Sequence, residues 1–396
     1  MRLWLLLILV LPSIPLSAQD PVWLNTKAEA GDGVMSLLRR FDLSPYSCNV
    51  EQFYRINQME KTDGLVHGRE YRLPVRRHPY NRRSIRSTIG ITDFDLAVRI
   101  QDYNRAMQKK GFRARAYEDD LDLWVPHHLL YCADEADETR LIAEQETRTG
   151  NAGIFPIFGP KYQKVEPVST ELKGQVFYIS AGHGGPDPGA MSTRAGHTLC
   201  EDEYAYDVSL RLCRHLIARG AIAYMIIRDN NDGIRDEPFL VCDNDEVALG
   251  EKTIPLNQKE RLYQRAKIIN QLYERHKRQG VRKQTSLFIH VDSNNQGLRQ
   301  DVFFYHLKSS KAGKAMAETL QETFREKYRQ HQSSRSYHGT VTGRDLYVLR
   351  ETSPVGVYIE LANIRNPEDQ RRIVLRENRE ALAKWLAEGL VKGNSR

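Results

Sequence analysis

The stretch Val176–Ala190, VFYISAGHGGPDPGA, decides how the C-terminal half of this chain is read. Its apolar start is short enough to be a buried strand, and it stops abruptly at Gly182-His183-Gly184-Gly185. Glycines on both sides of His183 let the backbone bend sharply and leave the imidazole reachable from outside. A histidine held at a strand end suits a metal ligand in an α/β sheet, where sites gather beyond the strand termini.

Outward from that turn the pattern alternates. Strands are expected at 176–180, 221–227, 286–290, 302–306, 346–349 and 355–360, and helices at 202–219, 258–279, 311–329 and 367–392. This alternation predicts an α/β fold with a six-stranded, mostly parallel sheet flanked by helices. Glu201 opens a helix, in Cys200-Glu201-Asp202-Glu203, where part of the acidic cluster reflects the ordinary preference for carboxylates at helix N-termini. His290 and Glu360 each close an apolar run, where an ionisable side chain is costly unless paired or metal-bound. Two imidazoles and one carboxylate form the ligand set of a catalytic zinc site with an open fourth position, and Glu360 is a candidate for its base. The bland alternative is a pair of hydrogen-bonded strand-end histidines beside a helix-capping glutamate. His197, His306 and His338 have no comparable setting.

The ordered motifs over residues 175–396 resemble one family. They are Gly182–Ala190, Glu201 leading through a helix to Gly220 and a strand ending at Arg228, Arg265-Ala266, Phe288–Asp292, and Glu360-Leu361-Ala362-Asn363 running on to Asp369. Together they resemble the zinc-dependent N-acetylmuramoyl-L-alanine amidases of the bacterial cell wall. The resemblance implies hydrolysis of the amide joining N-acetylmuramic acid to the L-alanine of the peptidoglycan stem peptide. It also implies zinc held by His183, Glu201 and His290, with Glu360 as general base. Asp187, Asp292, Arg265 and Asn363 carry over as substrate contacts or supports for the ligands. Glu203 competes with Glu201, but its spacing to Gly220 falls two residues short.

Three departures from the family pattern matter. Ser180-Ala181 stand where the family has Asp-Pro, and Ala362-Asn363 replace Gly-Phe beside the base. An acidic insertion at about 232–256 separates Arg228 from the helix holding Arg265. In some family members such an insertion covers the metal until a protein activator moves it. Two rival readings exist: a non-catalytic peptidoglycan-binding scaffold or activator, which should lack a ligand or the base, and a zinc carboxypeptidase, which should carry an HxxE ligand pair.

The chain of 396 residues is 40% hydrophobic and 28% charged, room for two or three domains and too apolar for wholesale disorder. Met1-Arg2, the apolar Leu3–Leu16 and Ser17-Ala18 read as a secretory signal peptide over 1–18. Its apolar core is shorter than the ~20 residues a membrane span needs, so the mature chain is expected to be exported, periplasmic or wall-associated, without a span. The net charge of +7 is scattered rather than gathered into an arm, which argues against nucleic acid and suits an anionic wall polymer. Cys48, Cys132, Cys200, Cys213 and Cys242 are too dispersed for a disulfide framework, although Cys200 and Cys242 are candidates to pair outside the cytoplasm. Cys213 reads as a small buried hydrophobe.

Residues 19–78 read as a small α+β module, with helices near Val34–Phe41 and Val50–Asn57 and a closing strand at Gly68–Pro74. Gly31-Asp32, Phe41-Asp42-Leu43, Asn57 and Gly68 leading to Leu73-Pro74 resemble the LysM module, a βααβ domain that grips N-acetylglucosamine-containing glycans. Residues 79–146 echo it, because the steps from Leu38 to Asn57 and from Ile85 to Asn104 are equal and Trp124-Val125-Pro126 closes the unit. The alternative for that segment is a connecting α+β domain without sugar affinity. Residues 147–174, rich in Gly, Pro, Thr and Lys, fit a linker or a strap across the next domain.

Overall fold

The computed structural model describes residues 22–44, 46–132, 153–293, 297–332 and 335–394, so the expected signal peptide lies outside the described residues. The N-terminal unit begins with β1 (Trp23–Lys27), α1 (Val34–Arg40), α2 (Ser47–Ile56) and β2 (Glu70–Pro79). It continues through α3 (Phe94–Lys109) to β3 (Asp122–Pro126). The two segments read as separate modules share one antiparallel sheet of order β1-β2-β3. The first part of β2 pairs with β1, and its second part, from Val75 to Pro79, pairs with β3.

Side chains alternate across those strands and feed two cores. Leu37, Leu38, Phe53, Tyr71 and Leu73 fill the first, joined by Tyr103, Met107 and Trp124 from the second segment. Ile100, Tyr117, Leu123 and Val125 fill the second. Each segment also closes on an asparagine clamp. Asn57 Nδ2 donates to the Arg72 carbonyl and Asn57 Oδ1 accepts the Arg72 N–H, both at 2.8 Å. Asn104 grips Trp124 in the same two-way manner, at 2.8 and 3.1 Å. A disulfide joins Cys48 to Cys132, a pairing the dispersed cysteines had not suggested.

The C-terminal unit contains β4 (Val176–Ala181), α4 (Glu201–Ile217), β5 (Ile222–Met225), α5 (Gln258–Arg278) and β6 (Gln284–Asp292). After these come β7 (Phe303–His306), α6 (Lys311–His331), β8 (Val341–Gly343), α7 (Tyr347–Glu351) and β9 (Val355–Asn363), then α8 (Pro367–Val374) and α9 (Arg376–Asn394). Six strands form one sheet of order β8-β7-β9-β6-β4-β5, parallel throughout except where β7 meets β9. Phe177 and Ile179 face one layer with residues of α4, α6 and α9, whereas Val176 and Tyr178 face the other with Ile268, Ile269 and Leu272 of α5. The expected α/β architecture is therefore present.

Two expected elements differ. The strand expected at 346–349 is helix α7, and the sixth strand is the short, polar Val341–Gly343. The single helix expected over 367–392 breaks at Leu375, whose backbone is extended (φ −78°, ψ 124°). Buried Arg379 makes that break tolerable: its Nη1 donates to the carbonyls of Ile373 and Val374, and its Nε pairs with Asp207 at 2.7 Å. Residues 153–174 lie as a strap across this unit, with Phe158 and Leu172 fully buried in its core.

Helix α7 also meets the N-terminal unit. Glu351, 1% exposed, accepts the Ser36 N–H of α1 at 3.0 Å and the Arg350 Nε at 2.8 Å, and its carbonyl accepts from Arg39 and Asn270.

Candidate metal centre

The site gathers where β4, β6 and β9 end. His183 follows β4 in a left-handed conformation (φ +58°), which a non-glycine residue adopts at a cost and which functional sites often retain. Gly189 curls back over it with φ +69°, and a Cβ there would stand 2.7 Å from the His183 ring and 2.8 Å from Glu201 Oε2. Glu201 is the first residue of α4, whose N-terminal turn favours a carboxylate. Its Oε2 lies 3.3 Å from His183 Nε2 and accepts the Ala190 N–H at 2.9 Å. Its Oε1 lies 2.9 Å from His290 Nδ1 and accepts the Val291 N–H at 3.0 Å. One ligand atom from each of His183, Glu201 and His290 falls within 4.8 Å of the other two.

The electrostatics follow from this packing. Burial pulls His183 down, but hydrogen bonds to Asp187 and Glu201 outweigh it and raise its pKa to about 9. Surroundings that hold a proton on an imidazole this firmly equally suit a divalent cation in its place. Burial resists ionisation of Glu201, yet its bonds to both histidines keep its carboxyl well below the usual range. Burial pushes His290 down.

Glu360 stands beside His290 in the parallel register of β9 against β6. It is 8% exposed, and its Oε2 is buried without a hydrogen-bond partner among the described residues. Burial, then the nearby Glu201 and Asp292 charges, raises its pKa well above that of an ordinary glutamate.

The other expected residues divide into supports close to the cluster and one further away. Asp187 Oδ2 meets His183 Nδ1 at 3.0 Å, which fixes the ring so that Nε2 faces Glu201. Arg261, which the sequence reading missed, holds the same oxygen at 2.6 Å. Arg265, 4% exposed, donates to the Ala181 carbonyl at 2.8 Å and to the His183 carbonyl. Asp292 ends β6 and accepts the Ile364 N–H through its carbonyl. Asn363 is fully buried and braces the following loop, donating to the Leu298 carbonyl and accepting the Arg365 N–H. Glu203 turns away from the cluster, pairing with Arg235 at 2.8 Å and accepting the Asp243 N–H at 3.0 Å.

The insertion touches the same turn from outside. Glu246 Oε2 accepts the Gly185 N–H at 2.7 Å, and a Cβ on Gly185 would meet Ile254 at 3.1 Å. A disulfide from Cys200 to Cys242 ties the insertion to the residue before Glu201. Cys213 is buried, its sulfur 3.9 Å from the Ala223 carbonyl. Arg261 and Glu246 had local signals: Arg261 precedes Arg265 by one helical turn, and Glu246 lies in the acidic insertion.

The N-acetylmuramoyl-L-alanine amidase family model matches residues 177–392, the whole span that carries this geometry. The chain belongs to that family. The amidase is 24% identical over 247 residues to the germination-specific N-acetylmuramoyl-L-alanine amidase of Bacillus subtilis, covering 60% of this chain and 90% of the relative. Among solved structures it is similar to the amidase AmiC2 of Nostoc punctiforme (22% identity, TM-score 0.40, 57% of this chain and 99% of that one). It is also similar to the CwlD amidase of Clostridioides difficile, solved in complex with the GerS lipoprotein (17% identity, TM-score 0.42, 56% and 98%). The amidase is thus a hydrolase of peptidoglycan, and its two disulfides accord with a place outside the cytoplasm. Among the described residues no helix is long and apolar enough to cross a membrane.

Proposed function

We propose that this amidase is an exported, periplasmic or wall-associated enzyme that uses zinc held by His183, Glu201 and His290, with Glu360 as its general base. The observation that carries the proposal is the convergence of two imidazoles and a carboxylate within 4.8 Å, one strand from a buried carboxylate oxygen without a partner. The donor set fits zinc, which takes nitrogen and carboxylate ligands and keeps an open position in catalytic sites. Gly189 fits it too, since a side chain there would invade both ligands.

Held by these three residues, zinc would supply charge to polarise the scissile carbonyl and to make a water more acidic. Glu360 takes that water's proton and returns it to the leaving amine of L-alanine. Asp187, itself held by Arg261, keeps the His183 ring in its ligating orientation. Arg265 fixes the carbonyls on either side of the glycine that precedes His183.

Residues 19–78 serve in this reading as a LysM-like glycan-binding module, 79–146 as a divergent second copy, and 175–396 as the catalytic domain. The βααβ order of the first segment and the matching Asn57 and Asn104 clamps support it. A protein activator that raises a basal activity through the insertion is supported by the Glu246 bond to the Gly185 turn. Bound zinc measured in the purified chain, followed by mass spectrometry of digested peptidoglycan, tests the whole. The expected products are stem peptides with a free L-alanine amine. Cuts within the stem peptide, or a zinc-loaded chain that cuts nothing, overturn it.

A further inference from the structure

Strand order gives the metal centre two unlike flanks. On the β4–β5 side lie the buried carboxylates Asp202, Glu203 and Glu246, with one oxygen from each within 4.8 Å of the others. On the β7–β8 side the wall is aromatic and ends in a cation. Tyr358 stacks on the His290 ring at 4.3 Å, Tyr305 packs on Tyr358 at 6.0 Å, and the Arg344 guanidinium lies 4.7 Å above the Tyr305 ring. The Arg344 N–H donates to the His306 carbonyl at 2.9 Å, anchoring its backbone just past β8. Its side chain is exposed and makes no ion pair among the described residues. Its charge nevertheless reaches Glu360, where it works against the effect of burial. A guanidinium placed over a ring and free of an ion pair keeps its donors available to a carboxylate, which it can bind bidentately.

We infer that Arg344 binds the α-carboxylate of the glutamyl residue that follows L-alanine and so lays the stem peptide across the β7–β8 edge. The inference rests on the amidase reading of the site. The glutamyl residue is joined onward through its side chain, which leaves its α-carboxylate ionised. An extended peptide advances ~3.4 Å per residue, so the second residue lies roughly 7 Å beyond the scissile amide, on the Tyr358–Tyr305 part of this wall, where the Arg344 guanidinium stands 4.7 Å from the Tyr305 ring. The opposite flank offers it the buried carboxylates of Asp202, Glu203 and Glu246, whereas the β8 flank offers it the exposed Arg344 guanidinium, which carries no ion pair among the described residues.

The test uses the full zinc-loaded chain and two substrates, muramoyl-L-alanyl-γ-D-glutamyl-L-lysine and the same compound with the α-carboxylate converted to a carboxamide. The wild-type chain is expected to favour the carboxylate substrate by ~10-fold in kcat/KM, with the difference in KM. Arg344→Ala, checked for unchanged zinc content and circular dichroism, should bring that ratio to within about twofold of unity, and Arg344→Lys should restore part of it. An unchanged preference in Arg344→Ala, or no preference in the wild type, overturns this inference alone. Cleavage of neither substrate by the wild type overturns the reaction assignment together with it.

Discussion

Gly189 and Glu360 make the sharpest demands on single residues. At Gly189, alanine combines a left-handed backbone with a Cβ driven toward His183 and Glu201, and neither neighbour can retreat without leaving the cluster. Gly189→Ala should therefore lower zinc affinity by roughly 10- to 100-fold while the fold persists, as measured by metal content after dialysis against a competing chelator. Glu360 touches no ligand through a hydrogen bond, so Glu360→Ala should retain zinc yet lower kcat on peptidoglycan by about 10²–10⁴-fold. His183→Ala should lose both metal and activity. These residues were legible because glycines and charges interrupt apolar runs in the sequence. Glu201 and Glu203 were harder to separate, because both sit in the first turn of α4. In the structure Arg235 and Asp243, both from the insertion and distant in sequence, hold Glu203 away from the two histidines.

The insertion is the element with the most distinctive chemistry. Burial raises the Glu246 pKa from 4.5 to about 7, so the folded chain keeps a proton that the unfolded chain releases between those values. Proton uptake on folding means that stability falls as pH rises through that window, by about 2–3 kcal/mol from this group. Glu246→Gln keeps an acceptor for the Gly185 N–H and should flatten the dependence, read from urea midpoints at pH 5 and pH 8. The Cys200–Cys242 bridge closes a loop across 42 positions, worth about 4 kcal/mol in chain entropy. Replacing both cysteines by serine should lower the urea midpoint accordingly. Most elements of the sheet were readable from their apolar runs. The errors arose where local pattern carries no decision: Leu346–Leu349 is apolar enough for strand or helix, whereas the true edge strand Val341–Gly343 lacks an apolar run. The break at Leu375 has no glycine or proline to announce it. It depends on Arg379 reaching Asp207 and two stranded carbonyls, a contact made only in three dimensions.

For the whole molecule, the junction between units turns on Glu351. Its carboxylate caps α1 and its carbonyl binds Arg39, so removing the side chain leaves the Ser36 N–H and Arg350 without their buried partner. Glu351→Ala should speed hydrogen exchange at the Ser36 amide by tenfold or more, while hydrolysis of a small soluble muramoyl peptide stays at the wild-type rate. Loss of that hydrolysis would mean the junction also shapes the metal centre. Composition and patterning gave no hint of this junction, which joins residues some 300 positions apart.

Strand β2 pairs with both N-terminal segments at once, through β1 and through β3. Deleting one residue near Val75 would turn half of its side chains from inside to outside for both neighbours. Neither segment can then be swapped for a foreign copy without rebuilding the strand that both pair with.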